Sequence, residues 1–133
     1  MERLRVPLLV TALYFLILGA CSLSASIVLS LFDYTVNDIG ELLVISAAFL
    51  GFGVVLWAIA NEPARHESLI TPVIASLIIF IIFLLWGWVR HVYTIRNILP
   101  PVAIDIVLVV WIWASRGQTG KVEGTAHPVA GHR

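Results

Sequence analysis

Four long apolar runs, 6–32, 42–60, 69–89 and 97–115, fill most of this chain and dictate its solvent. Asp105 is the one Asp, Glu, Lys, Arg or His inside any of them. A helix crosses a bilayer with about 20 mostly apolar residues, and each run reaches or approaches that length. A water-soluble fold is excluded by supply. Only 12% of the 133 residues are charged and 60% are hydrophobic, against roughly 25% charged in an ordinary soluble domain. A chain of this size leaves about a third of its unfolded surface exposed after folding, and the polar residues to cover it are missing.

Backbone groups in lipid must be satisfied within the protein, which favours helices for continuous apolar runs. A lipid-facing barrel would instead alternate over about 10 residues. The expected fold is an all-α integral membrane protein. Its four transmembrane helices form an up-down-up-down bundle over 1–116, because short loops make successive helices antiparallel neighbours. A flexible polar tail is expected over 117–133.

Basic residues orient such a bundle. Arg3, Arg5, Arg65, Arg116, Lys121 and Arg133 fall on one side of the alternating runs, and Arg90 and Arg96 on the other. Six against two places both termini in the cytoplasm. The chain is a multi-pass protein of the membrane, the plasma or inner membrane if prokaryotic. Formal charge is zero, and no basic patch suggests nucleic acid.

The start, "MERLRVPLLVTALYFLILGACSLSAS", has a basic head, an apolar stretch and small residues, as a signal peptide does. "LGACS" resembles a lipobox, which would place cleavage near Cys21. The apolar run continues to Phe32, well past a signal core of about 7–15 residues, so an uncleaved first helix is expected. One cysteine allows neither an internal disulfide nor a CxxC redox pair.

The 27 residues of the first run would make a helix of about 40 Å, long enough to tilt or project. Gly19, Ser22, Ser26 and Ser30 share one side of it, and Ala47 and Gly51 form a small-xxx-small pair in the second run. Small residues let helices approach closely, so these positions are expected to pack, within the bundle or between subunits. The third run is bulky and aliphatic throughout its middle. In the fourth, Leu99 and Pro100 each precede a proline, a position that disfavours α conformation. The last helix is therefore expected to begin at Pro101, which would leave Asp105 one turn in and near the outer interface.

Asp105 carries the main chemical interest. Intramembrane acids usually face the bundle interior and mark ion or proton sites. Arg90 and Arg96 are its candidate partners, and His91 beside them is a candidate ligand or proton relay. The structural alternative makes Asp105 an anchor that pairs with an arginine or complements a helix dipole. His66, His127 and His132 fall on the other side from His91, so a bis-histidine haem held by this chain is not expected. Two tail histidines are too few for a metal centre, and no metal site is expected. Walker A, HExxH and GxSxG signatures are absent.

The stretch "ALYFLILGACSLSAS", the glycine-bearing "AAFLGFGVVLW" and the arginines of the third hairpin resemble the DoxX-like group of small four-helix membrane proteins. The resemblance covers most of 5–116. It implies a link to quinone-dependent respiratory oxidation, and it transfers no catalytic residue by position. Three functions follow as expectations. The first is a non-catalytic accessory or scaffold subunit of a larger membrane complex, respiratory or quinone-linked on the resemblance, with quinone or lipid as its ligand. The second is a small oligomeric transporter or ion-coupled carrier using Asp105. The third is a membrane redox enzyme using Arg90, His91 and Asp105. Partners are the lipid bilayer and other membrane subunits or further copies of the chain.

Overall fold

The computed structural model describes residues 2–35 and 38–117. Among these it holds five helices and no strand: α1 (Glu2–Cys21), α2 (Ala25–Phe32), α3 (Ile39–Asn61), α4 (Glu67–Val89) and α5 (Ile95–Gly117). Four of them, α1, α3, α4 and α5, are long and apolar enough to cross a membrane. The tail from 118 onward, with His127 and His132, lies outside the described residues.

Helix α1 lies along α3, α5 packs on both α4 and α1, and α2 rests on α5. One core joins α1, α3, α4 and α5, built from Leu8 and Phe15 of α1, Leu56 of α3, Leu77 of α4 and Ile112 of α5. Phe49 bridges α3 to both neighbours, with its ring centroid 5.7 Å from those of Phe15 and Phe80. Many large apolar residues face outward: Val44 is 70% exposed, Phe83 68% and Trp113 66%. Water does not tolerate apolar patches of this extent on a monomer. A hydrocarbon solvent removes the conflict, and the four long helices are consistent with a multi-pass membrane protein.

The α1–α3 contact is close because glycine sits on each side of it. A Cβ on Gly19 would come 2.8 Å from Leu50 Cγ and 2.9 Å from its backbone nitrogen. A Cβ on Gly53 would meet Leu16 Cγ at 2.8 Å and its nitrogen at 3.0 Å. Each glycine thus lies against the other helix's backbone, the arrangement small residues permit in membranes.

Two boundaries differ from the sequence expectation. The first run is not one long helix. It breaks after Cys21, and Ser24 is extended (φ −118°, ψ 115°) before α2 begins. The Ser22 hydroxyl donates to the Leu18 carbonyl at 2.7 Å, and the amides of Leu23 and Ser24 turn back three residues to Ala20 and Cys21. The last turn thus tightens to three-residue hydrogen bonds, as helix ends often do, before the chain straightens at Ser24. Consequently no 40 Å helix projects from the bundle.

The second correction concerns α5, which begins at Ile95, not at Pro101, and carries Pro100 and Pro101 inside. The bias against α conformation before proline is a preference, and an anchored first turn overrides it. Asn97 Oδ1 accepts from the Thr94 amide at 2.7 Å and the Thr94 hydroxyl at 2.8 Å. The Asn97 amide returns 3.1 Å to the Thr94 carbonyl. This is a capping arrangement at the helix start.

Candidate functional site

Asp105 lies ten residues into α5, and ten residues rise about 15 Å. Helix α5 has 23 residues, so Asp105 stands near the middle of this candidate span and not near its end, where a start at Pro101 would put it. Ile98, Pro101, Asp105, Leu108 and Ile112 are all buried, spaced three and four apart. They form the inward seam of α5, on which Asp105 is the one charged residue. Asp105 is 0% exposed, and neither of its carboxylate oxygens has a hydrogen-bond partner. They are the only buried side-chain polar atoms so placed among the described residues.

The other buried polar groups are satisfied locally. Thr11 donates to the Pro7 carbonyl and Ser46 to the Leu42 carbonyl, each at 2.7 Å. Neither hydroxyl turns to Asp105. Asp105 acts electrostatically on the half-buried Tyr14 of α1.

The structure does not bring Arg90, His91 or Arg96 to Asp105, which corrects their expected pairing. All three are exposed, Arg90 and His91 in the α4–α5 connection and Arg96 in the first turn of α5. Arg90 closes α4, its amide donating to the Trp86 carbonyl at 2.9 Å. His91 follows in the left-handed region (φ 59°). Its amide reaches Trp88, and that of Val92 reaches Gly87, both at 2.9 Å. This is a Schellman ending, a backbone role that histidine fills where glycine is usual. Arg96 faces Asp33 at 3.8 Å, an exposed pair worth at most about 1 kcal/mol.

The residue that sequence reasoning missed is Asn97. Besides capping α5, its side-chain amide donates to the carbonyls of Phe32 and Asp33 at the end of α2, the latter at 2.9 Å. Asp33 adopts a left-handed turn (φ 54°) that presents its carbonyl there. Around this clasp the Tyr34 and Tyr93 rings meet edge to face at 5.8 Å. Tyr93 also covers Gly87, where a Cβ would lie 2.5 Å from its ring. Burial, with Tyr34 and Glu41 nearby, holds the Tyr93 phenol above its ordinary range. The Thr-x-x-Asn spacing of 94–97 was the available signal.

Of the small residues expected to pack, Gly19 and Ser22 are buried, whereas Ser26, Ala47 and Gly51 face outward. A Cβ on Gly51 would meet nothing within 4 Å. No group of three or more His, Cys, Asp or Glu with metal-binding geometry occurs among the described residues. The chain matches no protein-family model, no curated protein and no solved structure.

Proposed function

We propose that this protein is a small ion-coupled carrier of the membrane, with Asp105 as its coupling group. The observation that supports this reading is a carboxylate at mid-span, wholly buried and without a partner. An unpaired ionised carboxylate in such surroundings costs several kcal/mol. The closed bundle therefore suits a bound ion on Asp105, and release of that ion requires the seam to open. A group stable in one state only when loaded links ion binding to conformation. In this reading the four long helices alternate in direction with both termini cytoplasmic. The short connections and the six-to-two division of basic residues support that arrangement. The test is solute uptake by vesicles carrying the protein. Uptake present in wild type and absent in a folded Asp105→Asn variant is expected. Equal uptake in the two overturns the proposal.

A second reading, an accessory subunit of a larger membrane complex, is favoured by one observation. Ala47, Gly51, Val54 and Ala58 form an exposed, small-residue side of α3, a surface that another helix can approach closely. The DoxX-like resemblance would make that complex respiratory or quinone-linked. Gentle purification from native membranes followed by mass spectrometry tests it. Stoichiometric recovery of other membrane subunits is expected, and recovery of this chain alone overturns it.

A further inference from the structure

We infer that the ion Asp105 takes is a proton, not a metal cation. The inference rests on the carrier reading for its purpose and on the seam's geometry for its chemistry. A hard metal cation must be wrapped in oxygen ligands, about six for magnesium and six to eight for calcium. Both Asp105 oxygens lack any hydrogen-bonding neighbour, and the buried hydroxyls of Thr11 and Ser46 are committed to their own helices. On α5 itself, the positions one turn either side on the seam are Pro101 and Leu108 or Val109. A cation there would exchange its hydration shell for a single carboxylate. A proton needs only one oxygen: an O–H bond forms, the charge falls from minus one to zero, and the neutral acid fits an apolar seam.

The surrounding charges agree. Tyr14 of α1, on which Asp105 acts electrostatically, is a weak acid that offers no positive charge. Helix α2 contains no titratable side chain, and α4 has none between Glu67 and Trp88. The arginines of the helices packed on α5 (Arg3 and Arg5 of α1, Arg90 at the end of α4) and of α5 itself (Arg96, Arg116) lie at helix ends. Among the described residues, no fixed cation at the depth of Asp105 replaces the proton. When the seam opens, water accepts the proton and hydrates the carboxylate; closure requires it back.

Infrared spectroscopy of the purified protein, unlabelled and with carboxyl-labelled aspartate, tests this. The expected result is a protonated-carboxyl C=O band at neutral pH that shifts with the label and vanishes in Asp105→Asn. The label needs no variant, since Asp33 and Asp38 are the only other aspartates and both are exposed. In parallel, melting temperature is followed as choline chloride is replaced by sodium, potassium, magnesium or calcium chloride at constant ionic strength. No cation-specific shift is expected. A missing band, or a cation-specific rise in melting temperature that Asp105→Asn abolishes, overturns the inference. A band in a protein that moves no solute supports the proton site and removes the carrier reading alone. Solute uptake with a cation-specific stability rise does the reverse.

Discussion

The side-chain amide of Asn97 donates to the Asp33 carbonyl 2.9 Å away, joining the end of α2 to the first turn of α5. The same side chain caps α5 through Thr94. One residue thus holds α5 in helical register upstream of two prolines and carries Asp105 to mid-span. Asn97→Ala removes both sets of bonds and leaves carbonyls unpaired. A loss of about 1–3 kcal/mol is expected, read as a lower melting temperature in detergent and faster amide exchange in α2. Asn97→Asp keeps the acceptor for Thr94 and loses the donors, so exchange in α2 should rise while the start of α5 stays protected.

Gly53 and Gly51 are two residues apart and should respond oppositely. Gly53→Ala drives a methyl into Leu16, and Gly19→Ala drives one into Leu50, where the nearest atoms include backbone. Each should destabilise by about 1–3 kcal/mol, the usual cost of overpacking. Gly51→Ala enters open space and replaces glycine by a better helix former. It should leave the melting temperature of the isolated chain unchanged or slightly raised.

His91 occupies a left-handed position that costs an ordinary residue about 1–2 kcal/mol. His91→Gly should therefore stabilise the protein by roughly 1 kcal/mol, measured by thermal unfolding. His91→Ala keeps the strained backbone and should bring no such gain. A loss of activity in His91→Gly with intact stability would show a role for the imidazole beyond the turn.

These contrasts mark what was legible in the chain. The four apolar runs announce membrane helices because hydrocarbon demands length and apolarity, and both are visible in sequence. Asp105 stands out for the same reason. The break after Cys21 is hard to see in the sequence because no proline or glycine falls between Cys21 and Ala25. The start of α5 is not legible in the sequence because the proline preference is local, whereas the partners of Asn97, Phe32 and Asp33, are distant in sequence. A start at Pro101 would put Asp105 near the helix end, beside Arg90 and Arg96; the start at Ile95 carries it away from them. The face of α3 that meets α1 depends on helix phase, which places Ser46, Gly53, Leu56 and Ala60 inside and turns Ala47 and Gly51 out.

The most direct test of Asp105 as the coupling group compares wild type, Asp105→Asn and Asp105→Glu in reconstituted vesicles. An ion gradient is imposed, a mixed-solute bath is supplied, and vesicle contents are read by mass spectrometry. The account predicts gradient-dependent accumulation of one solute class in wild type. It predicts loss of at least tenfold in Asp105→Asn, with unchanged thermal stability, and partial recovery in Asp105→Glu. Contents that match among wild type, Asp105→Asn and empty vesicles would contradict it.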